Sequence, residues 1–463
     1  MTRLHTRTRP EDFRVEERPA HAPTGSGQHL WLWIEKRGLG TQAALGRLAR
    51  VLDVPRRRLR TAGLKDARAV TRQWVSVDRP PADAEARLAG LEARGEAWVA
   101  VRDASRSRRG LSRGQLLGNG FVLRLRPAPG DTLGGTRGGT GDRQGGADRD
   151  ADVPVDLTAR AEVLGARLAE LAVDGVPNRF GPQRFGVRGD SARAGEALLR
   201  GRHDEAASLV LGRPGPADRG RILAAREAFE AGDLAAAREA WPRDQAGPRR
   251  LLTGLLGGAT AEAAWRRVDR PWVQLLGAAW QAERFNVLLD RRMAAPGGLA
   301  GLLPGDLALR LPLGRKAFPV EDLAAEQARA DRLEVTASGP LFGPHMPWPG
   351  GAAGDLEREV LAAGGWAVDE LAGPTFAAWP GGRRGLRMAL TLPDDGPAAA
   401  AGADEHGPYV ELRFDLPKGG YATTVLAELG LEDRTAGPGV PERAPTSGPA
   451  PALDPGPAAG PGS

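Results

Sequence analysis

Four stretches of this 463-residue chain set reactive or recognition-capable side chains apart from ordinary core and surface patterns. In GLKDARAVTRQWV (63–75) a carboxylate, Asp66, sits in a loop opened by Gly63 ahead of a strand, with Lys65, Arg68 and Arg72 close by. A carboxylate among cations is the setting in which an acid works as nucleophile or base; a plain solvated ion pair has the same pattern. In GNGFVLRLR (118–126), Asn119 stands between two glycines and precedes Phe121 at the mouth of a strand. The amide offers donor and acceptor to a base edge and the ring offers a stacking face, although a turn asparagine before a core phenylalanine looks alike. VPNRFGPQRFG (176–186) interleaves Phe180 and Phe185 with Arg179 and Arg184. That suits a wall that stacks on bases and holds phosphates, or an ordinary domain junction. PEDFRVEE (10–17) holds one aromatic, Phe13, among charges, where it can staple an N-terminal strand to the core.

The elements that must position these residues follow from periodicity. HLWLWIE (29–35) alternates, with Leu30, Leu32 and Ile34 on one face, and reads as a strand. Thr41 is placed to cap a helix running to Val51, since Ala44, Leu45, Leu48, Ala49 and Leu52 recur at helical spacing. QWVSVD, AWVAVRD and GFVLRLR add three strands, so the N-terminal portion is a strand-rich α+β module. Residues 130–152 are glycine, aspartate and arginine with little to bury and are expected to form a mobile loop. From Val155 the pattern turns helical over 157–173, 190–211, 219–240, 259–268 and 272–293. Two β-like stretches (306–312, 332–337), a helix near 355–364 and a basic turn (381–388) follow. PYVELRFDLP (408–417) then alternates again and leads through a glycine turn into a helix. The ends resemble each other more than the middle, which predicts one module interrupted by an inserted domain.

Composition bounds the function. With 41% hydrophobic residues the chain can bury several cores, while 64 glycines and 38 prolines predict disordered patches. The 64 basic residues include only four lysines, Lys36, Lys65, Lys316 and Lys418. An arginine-rich surface suits phosphate, and it is also what a GC-rich genome writes by default. No cysteine is present, which excludes disulfides, thiolate metal sites and cysteine nucleophiles. The six histidines are scattered, so no bound metal is expected. No apolar run approaches the ~20 residues of a membrane span, and MTRLHTRTRP is not a signal peptide. A soluble cytoplasmic protein is the expectation, with no membrane and no protein partner implied.

Taken together and in order, PEDFRVEE, GLKDARAVTRQW, GNGFVLRLR, NRFGPQRFG, GPLFG (339–343) and LPKGGYATTVLAELG (416–430) resemble the successive signatures of the TruD family of tRNA pseudouridine synthases. The resemblance runs from about residue 10 to residue 430, skipping the glycine-rich loop and parts of the helical middle. It implies an α+β pseudouridine-synthase catalytic domain: a mixed, mainly antiparallel sheet in two halves with a central cleft, interrupted by a largely helical TRUD-type domain. On that basis residues 1–175 form the first part of the catalytic domain, 176–386 the insert, 387–433 the final part, and 434–463 a disordered tail.

The resemblance further implies isomerisation of a uridine in tRNA, uridine 13 of the D-stem region, without a cofactor. Asp66 takes the place of the catalytic carboxylate; it attacks the sugar, adds to the base or abstracts a sugar proton, and the sequence does not choose. Each route calls for an oxygen shielded from bulk water beside a cation. The candidates are Arg7, three positions before PEDF, and Lys65. Phe121 stands where related synthases stack an aromatic on the target base, and Phe13, Asn119 and Tyr421 are expected to wall the pocket. A non-catalytic tRNA-binding or RNA-folding protein on the same scaffold is the alternative, and a hydrolytic nucleosidase a third reading.

Overall fold

The computed structural model describes residues 4–127 and 156–431, apart from residues 92, 313 and 315. The loop expected at 130–152 and the tail expected from residue 434 lie outside them.

Nine strands form the main sheet. They are β1 (Leu4–His5), β2 (Phe13–Pro19), β3 (His29–Arg37), β4 (Leu59–Thr61), β5 (Val70–Asp78), β6 (Trp98–Ser107), β7 (Leu116–Pro127), β14 (Ala399–Asp404) and β15 (Gly407–Pro417), while β8 to β13 lie between them in the chain. The order is β14-β15-β7-β2-β5-β3-β6, with β1 on β7 and β4 on β5. Every pairing is antiparallel except β2 with β5, which meet over only Arg14–Glu16 and Val70–Arg72. That short seam joins two antiparallel halves. Beyond it, Glu17 continues along β7 opposite Asn119, while β5 continues along β3, so the halves part at that point.

Cross-strand partners share a face, so the register puts Phe13, Glu17, Asn119, Phe121 and Phe414 on the same side as Leu32, Ile34 and Lys36. Helices cover this side. Under the first half, Leu164, Leu168 and Leu171 of helix Leu157–Asp174 and Val425 and Leu426 of helix Ala422–Glu428 pack with Leu123 and Leu412. Under the second, Leu45, Leu48 and Leu52 of helix Thr41–Leu52 pack on Leu30, Leu32, Ile34 and Val75. The opposite face carries an arginine–carboxylate ladder in which Arg18 bonds Asp415 and Arg72 and Arg102 share Glu35.

Between β7 and β14 the chain builds a second body. Its sheet runs β10 (Phe318–Pro319), β9 (Leu307–Arg310), β11 (Val335–Leu341), β12 (Gly382–Gly385), and its longest helix is Arg270–Ala294. Trp280 on that helix is fully buried against the rings of Phe342, Trp366 and Phe376. The strands that enter and leave this body, β8 (Val176–Pro177) and β13 (Arg387–Met388), pair with each other, Val176 opposite Met388.

Several local expectations change. The periodic stretches 190–211 and 219–240 each divide into two helices, at Gly201 and Gly232, which have φ of +70° and +80°. Only glycine takes that conformation readily. The basic turn at 381–388 is instead strand β12 followed by β13. Thr41 does not cap its helix: Gly40 occupies the cap position, and the Thr41 hydroxyl turns inward to the Asp66 loop.

Candidate active site

The Asp66 loop joins β4 to β5 and is fastened at successive residues. The Gln73 amide donates to the Gly63 carbonyl (3.1 Å), and the Thr41 hydroxyl accepts from the Lys65 backbone N–H (2.8 Å). Fully buried Lys36 donates through Nζ to the carbonyls of both Asp66 and Leu39, each at 2.6 Å. Three side chains from two strands and a helix therefore fix the backbone that carries the carboxylate. A carboxylate placed this way loses little conformational entropy when it meets a substrate.

Arg7 supplies the cation beside Asp66. Its Nη2 lies 3.1 Å from Asp66 Oδ2, while Oδ1 accepts no hydrogen bond from any described residue. The flanking chain explains how Arg7 is held. Leu4 and His5 pair with the end of β7, and Pro10 opens a tight turn whose Asp12, fully buried, accepts from Arg126 Nε (2.9 Å) and the Arg9 backbone N–H (3.1 Å). Glu11 ties the same turn to Arg37 at the end of β3. Arg7 itself has φ of +57°, a conformation that costs a non-glycine residue about 1–2 kcal/mol. Its guanidinium carbon lies 3.7 Å above the centroid of Phe13.

Phe13 therefore acts as the floor under Arg7. With 1% of its surface exposed it is not a pocket wall, contrary to the sequence expectation. The rings continue as a row: Phe13 meets Phe121 edge-on (6.3 Å), and Phe121 stacks on Phe414 (5.5 Å). Lys65 also departs from expectation. Its ammonium points away from Asp66 and forms a buried ion pair with Glu17 (2.9 Å), which takes up the gap where β2 leaves β5 and also accepts from the Trp74 N–H. The Asp66 side chain is 50% exposed, so the protein alone does not shield it from water.

Asn119 and Phe121 lie inside β7, not at its mouth, because the strand starts at Leu116. Asn119 Oδ1 is buried without a hydrogen-bond partner, and so is the Thr423 hydroxyl, two residues after Tyr421. An orphaned polar atom of this kind costs about 1–3 kcal/mol, which a ligand atom recovers. Tyr421, partly exposed, caps helix Ala422–Glu428 after a turn in which Gly419 has φ of +84°.

Lys36, Glu17, Thr41 and Gln73 hold the Asp66 loop, and sequence reading missed that part of their role. One signal was available for Lys36: it continues the apolar face Leu30, Leu32, Ile34 as a lysine in a chain that otherwise writes arginine. Burial pushes the Lys36 ammonium down to about 7; Asp66 opposes this shift and Lys65 adds to it. Below about pH 7 the buried charge costs stability. As pH rises toward the ordinary lysine value of 10.5, the folded chain sheds a proton that the unfolded chain keeps, and stability increases. The urea stability of the parent relative to Lys36→Met is thus expected to grow between pH 7 and pH 10; a difference constant across that range would remove the buried ammonium.

The chain matches known proteins along most of its length. The family model for tRNA pseudouridine synthase D matches residues 2–134 and 149–429. A relative named tRNA pseudouridine synthase D from Syntrophotalea carbinolica is 34% identical over 91% of this chain and 95% of its own length. One of the same name from Geobacter metallireducens is 36% identical over 90% and 93%. A solved structure from Methanosarcina mazei, described as a tRNA pseudouridine synthase D, superposes with a TM-score of 0.72 at 25% identity, covering 92% of this chain and 93% of its own. With a motif-bearing sheet in two halves, an aspartate loop at their parting and matches along nearly its whole length, the chain belongs to the TruD family of tRNA pseudouridine synthases, isomerases that convert uridine to pseudouridine.

Proposed function

We propose that the chain isomerises uridine 13 in the D-stem region of tRNA and that Asp66 is the carboxylate that carries glycosidic cleavage. One observation carries the assignment of Asp66. Its backbone is fixed by Lys36 and Thr41, one carboxylate oxygen rests on Arg7, and the other has no partner among the described residues at the parting of the two sheet halves. On the same reading, residues 176–386 are the family's insert, its ends tied by the β8–β13 pair.

The reaction breaks the bond from ribose C1′ to uracil N1, turns the base over, joins C1′ to C5, removes the proton from C5 and leaves N1 carrying a proton taken from solvent. Asp66 Oδ1 attacks C1′, adds to the base, or takes a sugar proton; in each case Arg7 holds the second oxygen and fixes the direction of approach. The uridine must leave its stack, at a cost of a few kcal/mol. The vacant hydrogen-bonding capacity of Asn119 offsets part of that cost by meeting the uracil edge, and partly exposed Tyr421 offers aromatic surface beside it. Phe121, 7% exposed and stacked on Phe414, backs the site from the core and does not stack on the base as the sequence led one to expect. The half-open carboxylate is then covered by the substrate base itself, which supplies the shielding that the free chain lacks.

Mapping pseudouridine in unmodified tRNA after incubation with the protein tests this reading. Conversion at position 13 is expected. Conversion at another uridine overturns the site assignment, and free uracil as the product overturns the rejoining step.

A further inference from the structure

The segment NRFGPQRFG has no role in the mechanism above, yet it organises charge in an unusual way. Arg179 is neutralised by Asp290. Arg184 has its guanidinium carbon 5.3 Å from the centroid of Phe180 and forms no ion pair or side-chain hydrogen bond among the described residues. Arg384, from β12, lies 4.2 Å from the same centroid and 5.7 Å from that of Phe285. Arg384 is aimed by Asn178, whose backbone carbonyl accepts from Nε (3.1 Å) and whose side-chain oxygen accepts from Nη2. The Asn178 amide in turn donates to the Gly385 carbonyl (2.9 Å).

Arg384 has no carboxylate within ion-pair distance among the described residues either. The contrast with its neighbour is sharp: Arg383 is bonded twice to Glu357, at 2.7 Å each. Two cations thus share one ring without a counter-ion, and both side chains are only partly buried. Burial and the like charge of Arg184 press the Arg384 pKa down to about 10, while Tyr421 acts in the opposite direction. Gly420, next to Tyr421, packs against the sulfur of Met388, four residues after Arg384, which brings this strand end and its arginines toward the GYAT segment. Arg384 Nη1 and the whole Arg184 guanidinium remain as donors.

We propose that Arg184 and Arg384 form a phosphate site, which holds an RNA backbone phosphate next to the reacting uridine on the Tyr421 side of the cleft. Paired guanidiniums fixed by a ring and an asparagine suit the two non-bridging oxygens of a phosphodiester better than a base edge, because Arg184 presents a whole fork of parallel N–H donors and Arg384 adds Nη1. The inference rests on the reading of the Asp66 and Tyr421 surfaces as the place where uridine reacts.

The test uses the full chain with Arg184→Gln and Arg384→Gln, and unmodified tRNA. Each variant is expected to raise KM on the order of tenfold and to reduce the slope of log affinity against log salt by about 0.7–1, the share of one phosphate. A substrate RNA in which the linkage flanking the converted uridine is a neutral methylphosphonate should weaken binding to the parent more than to either variant. The Arg184 side chain makes no ion pair or hydrogen bond with any described residue, so Arg184→Gln is read even where Arg384→Gln proves too unstable. Unchanged KM and salt slope in Arg184→Gln, or additive losses from variant and methylphosphonate, would overturn the phosphate site. Binding and salt slope do not depend on turnover, so this outcome is separate from failure of the Asp66 assignment, which an active Asp66→Asn would reveal.

Discussion

Asp66→Asn is expected to lower turnover on tRNA by about four orders of magnitude, the scale on which removal of a catalytic nucleophile acts, with affinity for the RNA held within about threefold. Asparagine has the same shape, so the loop anchored by Lys36, Thr41 and Gln73 has no reason to move. What is lost is the anionic oxygen opposite the one on Arg7. Asp66 is half-exposed but the Arg7 side chain is only 7% exposed, so removing the charge costs about 1–3 kcal/mol, and the melting temperature should fall by several degrees without loss of the fold. Release of tritium from C5-labelled uridine reads turnover, and filter binding reads affinity. Normal label release by the variant would take Asp66 out of the reaction, and a parallel loss of affinity would make it a binding residue.

The second large effect is on stability. Glu17→Gln leaves the Lys65 ammonium buried with no charge to face it, since the two side chains are 1% and 4% exposed and meet at 2.9 Å. Stranding one member of a buried ion pair costs about 3–5 kcal/mol. The fall should appear in urea as a lower midpoint with an unchanged slope. Glu17→Met combined with Lys65→Met removes both charges and should recover much of the loss, because desolvation of the ions is avoided. Turnover should still suffer in the double variant, since Lys65 sits next to Asp66 in the fastened loop. A Glu17→Gln protein less than about 1 kcal/mol weaker than its parent would mean that water reaches the pair.

Much of this arrangement is legible in the sequence where alternation is strong. HLWLWIE and PYVELRFDLP declare their strands, and Val410, Leu412 and Phe414 point into the core as their spacing requires. Strand β14 is not legible, because AAAGAD has neither β-branched nor aromatic residues and becomes a strand only by pairing with β15. The β12 strand is hidden in the same way: its Arg383 and Arg384 read as a basic turn until β11 and Asn178 give them partners.

At the site, local sequence points to Asp66, Asn119, Phe121 and Tyr421, because motifs carry them. It does not reveal that Phe13 lies beneath Arg7, or that Lys65, adjacent to Asp66 in the chain, belongs to Glu17. Both depend on where β2 and β5 separate, a property of the whole sheet. The same cause hides Lys36, 30 residues before the loop whose carbonyl it holds.

The most direct test is the structure of Asp66→Asn bound to unmodified tRNA. The account predicts a uridine turned out of its helix, with C1′ or C6 within about 3.5 Å of the residue-66 side chain, the separation of a near-attack geometry, and its uracil edge bonded to Asn119. A uridine still stacked in the tRNA, or one seated with Asp66 beyond contact of both sugar and base, would contradict it.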